Sequence, residues 1–72
     1  MIARMKGDTL GSRLKEARTE AGLTQAELAD LVGVSRKTIN TVENGVFVPS
    51  TLLALKLAAA LGTRVEKLFW VE

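Results

Sequence analysis

Between Ser35 and Asn44 five polar residues recur at spacings that place them on one side of a helix. Arg36 and Asn40 stand one turn apart, as do Lys37 and Thr41, and Asn44 lies one turn beyond Asn40. The chemistry open to such a face is recognition. A guanidinium donates two parallel hydrogen bonds to a planar pair of acceptors, an ammonium supplies a point charge, and amides and hydroxyls both donate and accept. Bond-making chemistry lacks its parts, because the 72-residue chain has no histidine and no cysteine. Imidazole bases, thiolate nucleophiles, disulfides and His/Cys metal sites are thereby missing from the inventory. No enzyme activity, metal or cofactor is expected.

The elements that must hold this face are short. Seventy-two residues, 47% of them hydrophobic, suffice for one domain over 1–72, with a core held by packing alone if the elements are mostly helices. Ten basic residues against eight acidic ones leave a net charge of +2, which permits a polyanionic partner without demanding one. No apolar run is long enough for a signal peptide or a membrane span, so a cytoplasmic setting without membrane association is expected.

From Leu10, the apolar residues Leu14, Ala17 and Ala21 recur at helical spacing, and this first helix should end at Gly22. Thr24 and Glu27 form a capping box opening a second helix, for which Leu28, Leu31 and Val32 supply the apolar stripe. Gly33 suits a left-handed turn, and Ser35 two residues later caps a third helix over 36–44 with Ile39 and Val42 on its buried face. Asn44-Gly45 breaks that pattern. In the loop that follows, Phe47 is expected as a plug of the core. Ser50 caps a fourth helix over 51–61, apolar nearly all round and so expected to pack on several sides. After Gly62, Thr63 and Glu66 read as a second capping box for a short fifth helix carrying Val65, Leu68 and Phe69. The expected class is all-α with five helices, with a short terminal β pairing between residues 1–5 and the C-terminal segment.

Residues 25–44 are constrained together as two helices around a tight turn: Leu28, Val32, Val34, Ile39 and Val42 at buried positions, small Ala29 where the helices approach, and Gly33 in the turn. A bulkier side chain at Ala29 would push the third helix away. On these residues the chain resembles the Cro-type phage-repressor family of helix-turn-helix regulators, also called the xenobiotic-response-element family. The resemblance covers nearly the whole chain. It rests on Leu23-Thr24-Gln25-Ala26-Glu27-Leu28-Ala29, on Gly33-Val34-Ser35, on Ile39 with Val42-Glu43-Asn44-Gly45, on Pro49-Ser50, and on Ala54-Leu55 through Leu61-Gly62. It implies a lambda-repressor-like DNA-binding domain, with the third helix in the major groove and a dimer on a palindromic operator.

Elementary chemistry assigns the exposed residues in the same way. Arg36 at the start of the third helix can donate to guanine O6 and N7; Lys37 and Thr41 can reach base edges, and Asn40 a base or a phosphate. Free amides and the helix dipole at the start of the second helix favour a phosphate near Gln25, with Thr24 either a contact or simply a cap. Ser35 joins the phosphate set, and Asn44 either contacts phosphate or only ends its helix. Val46-Phe47-Val48 stand where many members of the family carry a lysine or arginine, which weakens phosphate contact there. The resemblance further implies an ion pair between Arg18 and Glu43 that fixes the third helix; the alternative is two unrelated surface charges. Leu68, Phe69, Trp70 and Val71 form an apolar end expected to make a homodimer interface.

The expected function is therefore that of a sequence-specific regulator bound to double-stranded DNA, most simply a repressor that occupies its operator. So short a chain leaves little surface for a small-molecule ligand. Two alternatives are an antitoxin-type or other protein-interaction module, and the DNA-binding part of a larger regulator.

Overall fold

The computed structural model describes residues 7–72. In chain order these form strand β1 (Leu10–Ser12), helices α1 (Leu14–Glu20), α2 (Gln25–Val32), α3 (Arg36–Glu43), α4 (Thr51–Ala60) and α5 (Val65–Leu68), and strand β2 (Phe69–Val71). The fold is mostly helical, with one two-stranded sheet.

Each of the three longer helices starts on a side-chain oxygen. The Glu27 amide donates to Thr24 Oγ1 at 3.0 Å while the Thr24 amide donates to Glu27 Oε1 at 2.8 Å, closing the capping box of α2. Ser35 Oγ accepts from the Thr38 amide, and Ser50 Oγ from the Leu53 amide, at the starts of α3 and α4. Gly33 ends α2 with φ 76°, a conformation that a Cβ would strain, and the Val34 amide then bonds back to the Ala29 carbonyl. This brings Ser35 to its capping position with two residues between α2 and the cap.

The core lies where α2 meets α3 and α4. Leu14, Leu28, Ile39, Val42, Leu57 and Leu68 are its most fully enclosed side chains, and Ala29, Ala54 and Ala58 lie among them. Small residues allow close approach of helix backbones, so a larger side chain at Ala29 would part α2 from its neighbours.

Several expectations are corrected by the structure. The first helix begins at Leu14, not Leu10, because Leu10–Ser12 pairs antiparallel with β2 in the register Leu10 to Val71, Gly11 to Trp70 and Ser12 to Phe69. Gly11 is suited to this place, since a Cβ on it would fall on the Trp70 indole. The strand opposite β2 is thus Leu10–Ser12, and the expected partner, 1–5, lies outside the described residues. The second capping box is absent: the Thr63 amide closes α4 on the Ala58 carbonyl, and α5 starts one residue later at an N-cap, Arg64, that makes no side-chain bond. Leu31 is exposed, because α2 buries the face of Leu28, Ala29 and Val32 instead. On α4 the buried face is Leu53, Ala54, Leu57 and Ala58, leaving Leu52 and Leu55 open, so this helix is not covered on several sides. Phe47 does not plug the core. It lies half exposed over a groove it shares with Val34, Thr38 and Leu52.

Candidate nucleic-acid interface

Helix α3 is divided cleanly. Ile39 and Val42 are buried against the rest of the molecule, Arg36 and Lys37 are exposed, and Asn40 and Thr41 are half buried beside them. The eight residues of α3 make little more than two turns, so its outward surface is short and its first turn carries both cations. The Thr41 hydroxyl donates to the Thr38 carbonyl at 2.9 Å, which leaves its methyl and the oxygen lone pairs as what it can offer outward. Asn40 and Asn44 are brought together, Asn44 Nδ2 donating to Asn40 Oδ1 at 3.2 Å.

The loop after α3 spends its amides internally. The Gly45 amide bonds to the Val42 carbonyl, and those of Val46 and Phe47 both bond to the Thr41 carbonyl. These three amides are therefore not open to an anion, and Val46-Phe47-Val48 supply no charge. At the other end of the helical pair, Thr24 is exposed but its hydroxyl and amide are both engaged in the capping box. The two amides that follow it, of Gln25 and Ala26, stand in the first turn of α2, where no preceding carbonyl is placed to accept from them. Ser35 Oγ serves its cap and lies 3.0 Å from Thr38 Oγ1.

Behind this surface lies a polar anchor. Arg18 on α1 pairs with Glu43 at the end of α3, with Nε 2.6 Å from Oε2 and Nη2 3.2 Å from Oε1. The Arg18 Nη1 group donates to the Leu23 carbonyl at 2.8 Å, so the fork is engaged on both sides. The two side chains are only 10% and 2% exposed. The hydrogen bond to Glu43 and the nearby carboxylate charge raise the Arg18 pKa above its ordinary value, against the opposing effect of burial. A charge pair this enclosed holds α1 and α3 in one relation, because separating it would strand two desolvated charges.

Two contacts were not readable from spacing. Gln25 Nε2 donates to Glu43 Oε1 at 3.0 Å, and Arg36 Nη1 donates to Gln25 Oε1 at 3.3 Å. Arg18, Glu43, Gln25 and Arg36 thus form one chain of hydrogen bonds from α1 to the exposed start of α3. A glutamine at the first position of a capped helix gives no local sign of such partners, which lie eleven and eighteen residues away.

The apolar end is divided as well. Leu68 and Phe69 are 1% and 7% exposed within the chain's own core, whereas Trp70 and Val71 are 40% and 49% exposed. The four therefore do not form one outward surface: Leu68 and Phe69 are spent on the core, and Trp70 and Val71 remain outside. Among the described residues no helix is long and apolar enough to cross a membrane.

Comparisons with known proteins agree with this geometry. The family model for the helix-turn-helix matches residues 14–68. An uncharacterized HTH-type transcriptional regulator of Bacillus subtilis, YgzD, is 43% identical over 61 residues, covering 85% of this chain and 92% of that protein. Among solved structures, the restriction-modification controller protein C.AhdI from Aeromonas hydrophila superposes with a TM-score of 0.73 at 42% identity, over 76% of this chain and 83% of that one. The biofilm master regulator SinR, solved in complex with DNA, gives 0.70 at 31% identity, over 75% and 87%. From Leu14 to Leu68, in sequence and in three dimensions, this chain belongs to the helix-turn-helix family of transcriptional regulators.

Proposed function

We propose that the chain is a sequence-specific repressor that binds duplex DNA as a two-fold dimer on a palindromic operator, with α3 in the major groove. The observation that carries this reading is the division of α3: two cations exposed on its first turn, while Ile39 and Val42 seat the helix on the core. Arg36 reads a guanine through two donors, Lys37 and Thr41 reach neighbouring base edges, and Asn40, tied to Asn44, supports them at the phosphate side. The start of α2 at Thr24 and Gln25, with Ser35 and Asn44, positions the phosphate backbone. Occupying the operator suffices for repression and requires neither a cofactor nor a small-molecule ligand.

The dimer is assigned to Trp70 and Val71 and the outer edge of β2, which among the described residues pairs only with β1. Such a dimer sets the two α3 helices about 34 Å apart, one turn of B-DNA. Selection of bound duplexes from a random library, at near-physiological salt, tests binding, sequence and symmetry together. The expected product is an inverted repeat with half-sites one helical turn apart. No enrichment, or equal retention by a folded Arg36→Ala/Lys37→Ala variant, would overturn the reading.

A further inference from the structure

Thr41 is held from both ends of its residue. Its hydroxyl donates to the Thr38 carbonyl at 2.9 Å, and its own carbonyl accepts from the amides of Val46 and Phe47 at 2.9 and 3.2 Å. The uncharged loop after α3 thus folds back on this residue and fixes its backbone. A threonine in a helix divides between two χ1 rotamers, and a bond from its hydroxyl to a preceding carbonyl selects one of them. The hydroxyl has a single hydrogen, and Thr38 holds it. What Thr41 turns outward is an oxygen that accepts and, fixed beside it, the Cγ2 methyl. Arg36 and Lys37 on the same face only donate, so Thr41 differs from both cations in the polarity it presents.

We propose that Thr41 is a specificity-determining residue that selects an A·T base pair, accepting a hydrogen bond from adenine N6 on Oγ1 and packing its methyl against the thymine C5 methyl. This deepens the base-reading role given above to Thr41 and rests on it. In the major groove, guanine N7 and O6 and thymine O4 accept, whereas adenine N6 and cytosine N4 carry the amino donors, and only thymine has a methyl. An acceptor joined to a methyl therefore matches an A·T pair on both counts and a C·G pair on one. Guanine in place of adenine would set O6 against the Thr41 oxygen, lone pair against lone pair. The hydroxyl could turn to donate to it only by giving up Thr38 and the rotamer that goes with that bond.

The test begins with the duplex that the parent protein selects from a random library. Thr41→Val keeps a methyl and loses the acceptor, and Thr41→Ser does the reverse. Both should relax preference at one A·T pair per half-site, distinct from the pair relaxed by Arg36→Ala. Base analogues at that pair then separate the two contacts on the parent itself: purine for adenine removes N6, and uracil for thymine removes the methyl. Each should weaken the parent by about fivefold. Thr41→Val should lose its response to purine and keep that to uracil, and Thr41→Ser the opposite. Relaxation at a G·C pair, or a uniform loss on every duplex from both variants, would overturn the proposal while leaving the reading by Arg36 in place. So would a parent indifferent to both analogues, an outcome that does not depend on the variants folding. A library with no enriched duplex would sink the DNA reading and the A·T assignment together. One measurement without DNA bears on Thr41 alone: in the free protein, its three-bond NMR couplings to Cγ2 should report a single χ1 rotamer. Couplings averaged over rotamers would show the hydroxyl to be uncommitted, and the assignment would fall whatever the protein does with DNA.

Discussion

The unit from Thr24 to Asn44 and the stretch from Val46 to Val71 are built from similar residues but follow different rules. In the first, the local signals are used where they stand, with Leu31 the exception. Thr24 and Ser35 cap, Gly33 turns, Ile39 and Val42 go inward, and Arg36 and Lys37 go outward. In the second, apolar residues outnumber the places available to bury them. Leu53 and Leu57 are enclosed while Leu52 and Leu55, one residue away from equivalent positions, stay in water. A mixed polar and apolar pattern states which side of a helix faces the core. A helix apolar on all sides states only that some side does, and its neighbours choose which.

This comparison can be broken at several points, and the largest effect is expected at the polar anchor of the first region. Arg18→Ala should cost about 3–5 kcal/mol in urea or thermal unfolding, because it leaves Glu43 buried without its partner. A paired apolar replacement, Arg18→Met with Glu43→Leu, should recover most of that loss. Recovery would show that the pair fixes the placement of α3 more than it adds net stability.

Next in size is the contrast within α4. Leu57→Ala, at 0% exposure, should cost about 2–5 kcal/mol. Leu55→Ala, at 55% exposure, should change monomer stability by no more than about 0.5 kcal/mol. Similar losses in both would mean that α4 is covered on both sides, and a loss at Leu55 that grows with protein concentration would place it at a subunit contact.

A smaller effect belongs to the capping box. Thr24→Ala should cost about 1 kcal/mol through loss of the acceptor for the Glu27 amide, while leaving the α3 surface intact. The smallest is Arg36→Ala, expected within about 0.5 kcal/mol of the parent in unfolding because the side chain is exposed and, among the described residues, tied only to Gln25. Its effect should appear in DNA selectivity instead. A large stability loss at Arg36 would give the first region a structural rather than a reading face.

How far each feature could be read in advance follows from how local its cause is. The three caps by Thr24, Ser35 and Ser50, the left-handed turn at Gly33 and the inward positions on α3 each depend on residues within four positions, and all stood in the amino-acid order. The Arg18–Glu43 pairing came only with the family resemblance, because no local rule joins residues twenty-five positions apart. Leu14 follows Leu10 at the helical interval, which points Leu10 into a helix, whereas the partner that draws Leu10–Ser12 into a strand is Phe69–Val71, far along the chain. A three-residue strand has too few hydrogen bonds to exist without that partner.

The candidate site divides along the same line. Residue types and spacing along one helix were enough to identify Arg36, Lys37, Asn40 and Thr41 as one polar face, since a 3.6-residue period is a property of the chain alone. Gln25 joined to both Arg36 and Glu43, Trp70 laid on Gly11, and Leu68 and Phe69 turned into the core all required the folded molecule. These depend on distances between elements, and such distances are set by how side chains from separate segments pack, which the pattern within any one segment does not contain.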